Sequence, residues 1–188
     1  MLIFAYDTET TGLPNWKVPS EDPSQPHLVQ IAGILADTDT RKIVASLDLV
    51  VRPDGWEIPD EVAAIHGITT ERALAVGVPE RDAFNAFMAL WGGHFRAAHN
   101  RTFDQRILRI AAKRYADETL AEKWADKETH CCTMLDSKGP MGVTKWPKLS
   151  EAYEHFTGRQ LEDAHTAMAD ARACLEVYFA LLGQKEAT

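Results

Sequence analysis

Apolar and polar positions along the chain fall into segments of changing period, and the changes mark the elements. LIFAYDT (2–8) is short, apolar and aromatic-rich, and predicts a buried strand. GLPNWKVPSEDPSQP (12–26) holds four prolines and reads as a long irregular loop. VQIAGILAD (29–37) and KIVASLDLVVRP (42–53) are β-branched runs joined by DTDTR, which predicts a hairpin. PDEVAAIHG (59–67) predicts a short helix with Pro59 near its start and Gly67 at its end. From Pro79 to Trp91, Phe84, Phe87, Met88 and Trp91 keep helical spacing until Gly92 and Gly93 stop it. HFRAAH (94–99) predicts a fourth strand, followed by a helix from Thr102 to Tyr115. Residues 117–130 are polar and ambiguous. CTML (132–135) reads as a short strand or turn, and SKGPMGVTKWPK (137–148) as a basic loop. Helices over 149–157 and 163–183 close the pattern, the second with Asp163 as its N-cap. Strands first, then helix–strand–helix, then helices give an α/β chain with a mixed sheet. No repeat or linker divides it, so one domain over residues 1–188 is expected.

Composition narrows the function classes. The 188 residues are 45% apolar, enough for one real core and too short for two ordinary domains. Asp and Glu number 28 against 20 Lys and Arg, a net charge of −8, which argues against a protein that coats nucleic acid through a basic surface. It leaves room for a nuclease whose carboxylates hold metal. Only residues 99–148 are net basic, at +3, against −7 before them and −4 after. No apolar run reaches the ~18 residues of a membrane span, and MLIFAYDTET lacks a basic leader, so neither a membrane nor a signal peptide is expected. Cys131, Cys132 and Cys174 make an odd count with two adjacent, which disfavours a disulfide framework and points to the cytoplasm.

Several carboxylates interrupt apolar patterns. Asp7 and Glu9 end the first apolar run, and on a strand they share one face at ~6–7 Å separation. Like charges that close raise each other's energy unless a cation neutralises them. A metal-binding pair and a solvated strand end running into the TETTG turn both fit. Asp104 heads a helical stripe of Ile107, Leu108, Ala111 and Tyr115. An acid there needs a partner, a metal or the helix N-terminal dipole, the last worth about 0.3–1 kcal/mol. Asp170 recurs among Ala167, Cys174, Val177 and Leu181, well inside the last helix, where cap and dipole do not reach. An acid paired with Arg is the alternative to a metal ligand. His165 lies in the first turn of that helix, as a surface residue or a base. Four such carboxylates suit hard cations, Mg²⁺ or Mn²⁺. Two ions ~3.5–4 Å apart clamp the attacking and leaving oxygens of a phosphoryl displacement. A neutral His165 would take the proton of the attacking water. The chemistry implied is metal-assisted phosphodiester hydrolysis.

DTETTGL (7–13), HNRTFD (99–104) and HTAMAD (165–170) resemble the three motifs of the DnaQ-like 3′–5′ exonucleases, in the DEDDh branch that carries His-x-Ala-x-x-Asp. AIHGIT (64–69) also looks like a recurring segment of that family. The resemblance runs from residue 2 to about 182. It implies an RNase H-like α/β fold with a central five-stranded mixed sheet. By similarity, Asp7, Glu9 and Asp170 hold a first metal, and Asp7 bridges to a second that Asp104 serves partly through water. His165 is then the general base. Thr10 and Leu13 match positions that meet the 3′-terminal nucleotide. Asn100 and Phe103 match polar and aromatic positions that line the groove or simply pack it.

Weaker features keep two readings each. His66 stands at a helix end as a dipole partner or a substrate contact. His130, Cys131 and Cys132 could hint at zinc, but adjacent residues ligate one ion poorly and read as ordinary. Lys138, Lys145, Trp146 and Lys148 form either a phosphate-contacting loop with a stacking platform or a solvated loop with Trp146 turned in. Trp16 is a similar case. The function expected is a metal-dependent 3′–5′ exonuclease releasing nucleoside 5′-monophosphates from single-stranded DNA or frayed 3′ ends, using Mg²⁺ with Mn²⁺ as substitute. An exoribonuclease is the alternative, and a non-catalytic nucleic-acid or polymerase-binding module ranks below both. The short stretch after the last helix favours a stand-alone or phage-type trimming enzyme over a proofreading subunit, so a polymerase partner is not indicated. The oligomeric state is left open.

Overall fold

The structure is a computed structural model and describes residues 1–186. At its centre runs β1 (Leu2–Thr10), which pairs antiparallel with β2 (Leu28–Asp37). β2 pairs antiparallel with β3 (Ile43–Arg52), completing the expected hairpin. Next come α1 (Asp60–His66), α2 (Thr70–Val76), β4 (Val78–Pro79), α3 (Glu80–Trp91), β5 (Phe95–Ala98) and α4 (Arg101–Tyr115). The chain continues through α5 (Glu118–Ala125), β6 (His130–Cys132), α6 (Thr133–Met141), α7 (Leu149–Thr157) and α8 (Ala167–Glu186). β5 lies parallel to β1, β6 parallel to β5, and β4 parallel to the end of β3. The order across the sheet is β4-β3-β2-β1-β5-β6. The mixed sheet thus has the five strands expected plus a two-residue sixth, cut short at Pro79, which has no N–H to extend a ladder.

Helices cover both faces of this sheet. Phe4 and Tyr6 of β1 pack with Phe84 and Phe87 of α3, Ile107 and Leu108 of α4 and Trp124 of α5. Ile3 and Ala5, pointing the other way, pack on Ala167, Ala171, Cys174 and Leu175 of α8. β2 is buried on both faces, which accounts for its nearly unbroken apolar run. Gly33 in β2 leaves the space that the Phe4 ring fills; a Cβ there would come within 2.4 Å of Phe4 Cζ.

Four elements depart from the sequence pattern. α2 buries only Ala73 and exposes Leu74 and Val76, so it shows no apolar stripe. α5 buries Ala121 and Trp124 alone and depends on Asp117, whose side chain accepts the Leu120 N–H. α6 occupies part of the expected basic loop; Gly139 and Pro140, usual helix breakers, fall in its last turn. α8 starts at Ala167 because Asp163 and His165 adopt left-handed backbone, with φ of 53° and 69°. Asp163 is therefore not its N-cap, and His165 precedes the helix. Among the described residues, no helix is long and apolar enough to cross a membrane.

Candidate active site

The end of β1 carries two acids on the face that α8 covers. Asp7 and Glu9 continue the alternation of Ile3 and Ala5, and both are half-buried. Asp170, one turn into α8, faces them. One ligand oxygen from each of Asp7, Glu9 and Asp170 lies within 4.8 Å of the others. The last and first elements of the chain therefore meet at this point. Asp104, from the first turn of α4, is 2% exposed and approaches from the other face of the sheet. Its Oδ1 accepts two hydrogen bonds from Thr8, from N–H at 3.1 Å and from Oγ1 at 2.8 Å.

Among the described residues, none of the four acids forms an ion pair with Lys or Arg, so the Arg-paired alternative for Asp170 fails. Asp170 Oδ1 is buried with no hydrogen-bond partner. Burial, with repulsion from Asp104, Asp170 and Glu9, pushes Asp7 well above the usual carboxylate range. Burial and the charges of Asp170 and Asp104 push Glu9 up to about 8. Burial raises Asp104 to about 7 against the lowering effect of its Thr8 bonds. Asp170 is also raised by burial. Carboxyls crowded so that none ionises easily, one of them with an orphaned buried oxygen, form a set of oxygen donors that fits a hard divalent cation.

Neighbouring backbone fixes the cluster. Ala167 N–H, at the start of α8, donates to Gln30 Oε1 at 3.1 Å, and Gln30 Nε2 donates to Asp48 at 2.7 Å. Gln30 stands opposite Glu9 in the β1–β2 ladder, so it ties the helix bearing Asp170 to the strand beside Glu9. His165 N–H donates to Asp170 Oδ2 at 3.3 Å, and its imidazole is exposed.

The remaining expected residues divide by exposure. Leu13 is 83% exposed, whereas Thr10 is buried and its Oγ1 donates to Gly12 O at 2.8 Å. His66 is buried and lowered by desolvation, so it is uncharged at neutral pH and does not serve as a dipole cation. Its Nδ1 accepts the Ile68 N–H. Asn100, left-handed at φ 57°, lines a cleft beside Asp170, while Phe103 packs against the core cluster. The Pro-rich loop is fastened to α4: Arg106 donates to Val18 O and lies over Trp16, and Arg114 donates to Pro26 O. His130 is a buried core residue whose Nε2 pairs with Tyr6 Oη at 3.0 Å.

Two positions carry structure that the sequence alone does not assign. Gln30 is a lone amide in a strand buried on both faces, a signal that its side chain must find partners. His99, at the end of β5, is buried and held below its usual pKa by desolvation. Neutral, it donates Nε2–H to Pro147 O at 3.0 Å and takes the Thr133 hydroxyl on Nδ1, also at 3.0 Å.

The α/β sheet thus gathers carboxylates at one strand end beside a cleft, with no Lys or Arg paired to them among the described residues, a donor set suited to a divalent cation. The chain matches the Exonuclease family (RNase_T) over residues 4–178, and so belongs to the DnaQ-like 3′–5′ exonucleases. It is 30% identical over 181 residues to the uncharacterized exonuclease CP81 of Escherichia phage 186, covering 93% of this chain and 85% of that one. It is 26% identical over 179 residues to the DNA polymerase III subunit epsilon of Treponema pallidum (strain Nichols), covering 95% of this chain and 75% of that subunit. The fold is RNase H-like and superimposes on E. coli exonuclease I in complex with a dT13 oligonucleotide, with a TM-score of 0.77 at 19% identity. That match covers 99% of this chain but 42% of exonuclease I. The exonuclease I of Methylocaldum szegediense gives a TM-score of 0.72 at 23% identity, over 98% of this chain and 41% of that one. The protein is an enzyme of the nuclease class, and its family implies divalent metal ions.

Proposed function

We propose that this enzyme is a metal-dependent 3′–5′ exonuclease that removes nucleoside 5′-monophosphates from single-stranded or frayed 3′ ends of DNA. The observation that carries the proposal is the convergence of Asp7, Glu9 and Asp170 within 4.8 Å without a counter-charge. In this reading Asp7, Glu9 and Asp170 would hold a divalent cation, and Asp104 with Asp7 would serve a second. Bound there, Mg²⁺ or Mn²⁺ would supply positive charge to the scissile phosphate and acidify the attacking water.

The chain's own groups do the rest. His165, exposed beside Asp170, accepts a proton from the attacking water on an imidazole nitrogen. The water oxygen bonds to phosphorus as the bond from phosphorus to the 3′ oxygen of the shortened strand breaks. The 5′-phosphate then leaves with the terminal nucleoside. His165 N–H on Asp170 keeps the base close to the acid cluster. Exposed Leu13 offers an apolar surface to the terminal base, and the Thr10 backbone and Asn100 offer polar contacts. DNA as substrate draws support from the likeness to a DNA polymerase subunit and to a nuclease solved with a dT13 oligonucleotide.

The test is a product time course on 5′-labelled single-stranded DNA, duplex DNA and RNA, with Mg²⁺, Mn²⁺ or EDTA. Stepwise shortening from the 3′ end of single-stranded DNA, stopped by EDTA and by Asp7→Ala or Asp170→Ala, is expected. Faster loss of RNA would move the assignment to an exoribonuclease. An intact labelled strand with either metal would overturn it.

A further inference from the structure

The loop between α6 and α7 carries Trp146, an indole 66% exposed to solvent. It lines a cleft of about 460 Å³ together with Met134, Pro147, Leu149, Leu161 and the acid-site residues His165 and Asp170. Large exposed aromatic rings are costly when nothing covers them, and a mobile loop would let Trp146 fold inward. Hydrogen bonds hold the chain on either side of it. Pro147 is buried, and its carbonyl is held by His99 Nε2–H at 3.0 Å. Lys148 N–H and Lys145 Nζ both donate to the Glu151 carboxylate. His99 directly precedes Asn100 and α4, so the element bearing Asp104 also sets the backbone that presents Trp146.

The resulting cleft is mostly apolar, with Trp146 and exposed Lys148 in its lining and His165 and Asp170, from the acid site, lining it too. A flat apolar body attached to an anionic backbone is the ligand that combination accepts. We propose that Trp146 is a stacking platform for one unpaired nucleobase near the 3′ end, and that it selects single strands because a base in a duplex is not free to enter. This rests on the exonuclease reading, since the cleft is continuous with that site. A base stacked on an aromatic ring contributes enough to affinity that its loss is expected to weaken binding about tenfold.

Two measurements test it. The first compares the unaltered enzyme, Trp146→Ala and Trp146→Phe on single-stranded oligonucleotides with one abasic site at each of the last four positions. One abasic position should raise KM about tenfold for the wild type. Trp146→Ala should show that raised KM on the intact strand, with kcat little changed, and no further penalty at that position. Trp146→Phe should recover most of the loss, and the preference for single strands over duplex should fall in Trp146→Ala. Unchanged KM in Trp146→Ala, or penalties that add at every position, would overturn the proposal. The second measurement titrates single-stranded DNA into Asp170→Asn protein that also carries Trp16→Phe, which leaves Trp146 as its most exposed indole. Quenched tryptophan fluorescence is expected, and its absence counts against the platform. Quenching without any hydrolysis by the wild-type enzyme would sink the exonuclease reading while leaving the base site standing.

Discussion

Replacing Glu9 by Gln should stabilise the metal-free protein, and the gain should depend on pH. Glu9 is held at about 8 by burial and by the charges of Asp170 and Asp104, against an ordinary value of 4.5. In the folded chain it keeps its proton up to about pH 8, whereas in the unfolded chain it loses it above pH 4.5. Between those values the folded state binds more protons, so stability is fully present below 4.5 and is lost as pH rises through 8. At pH 7 the Glu9 carboxyl therefore costs about 3 kcal/mol, and at pH 5 about 1 kcal/mol. Gln has nearly the same shape and no charge. Urea unfolding in EDTA should show Glu9→Gln more stable than wild type by about 2–3 kcal/mol at pH 7, shrinking below about 1 kcal/mol at pH 5. Groups remote from the cluster, such as buried His130, act in both proteins and cancel in the difference, whereas removing the Glu9 charge also relieves the upward push on Asp7 and adds to the gain. Adding Mn²⁺ at pH 7 should raise the wild type strongly and the variant much less. A variant that is less stable at pH 7, or a gain that is the same at both pH values, would falsify the unneutralised-cluster argument.

Three further outcomes follow from the geometry. His165→Ala should lower the hydrolytic rate about 10²–10⁴-fold while binding of single-stranded DNA, followed by gel shift with Ca²⁺, stays within a few-fold. Gln30→Ala removes the acceptor of Ala167 N–H; it should cost about 1–2 kcal/mol in urea unfolding and lower kcat beyond what that loss explains, because Asp170 shifts with α8. Equal kcat in the two proteins would remove Gln30 from the site's support. Gly33→Ala should destabilise by about 1–3 kcal/mol, because its Cβ would overlap the Phe4 ring, and a thermal midpoint equal to that of wild type would contradict that packing.

The site was legible wherever a residue broke a local rule. Asp170 could be found because it interrupts a small and apolar helical face, and Asp7 and Glu9 because they end a buried strand with charge. Asp104 was readable as an anomaly, but its bonds from Thr8 join residues 96 positions apart, a pairing that local pattern does not encode. The pattern starts the last helix at Asp163 with His165 in its first turn, whereas it begins at Ala167, because the backbone at Asp163 and His165 is left-handed, which local periodicity does not encode. Helices α2 and α5 escaped notice because they bury one or two residues each, too few to set a period. α6 escaped because Gly139 and Pro140 read as breakers regardless of where in a helix they fall. Trp146 could be read either way, since the hydrogen bond that holds the neighbouring Pro147 carbonyl comes from His99, 48 residues before Pro147.

The pairing of the first strand with the last helix has a consequence for synthesis. A ribosome releases β1 early, yet Asp7 and Glu9 acquire Asp170 only after the sheet, α3, α4 and the turn at His165 have emerged. Domains fold as their segments become available, and non-local contacts come late. Under the proposed mechanism the nascent polypeptide would therefore be unable to cut the nucleic acid around it until nearly all of these elements are outside the exit tunnel, and truncation before α8 should leave an inert product.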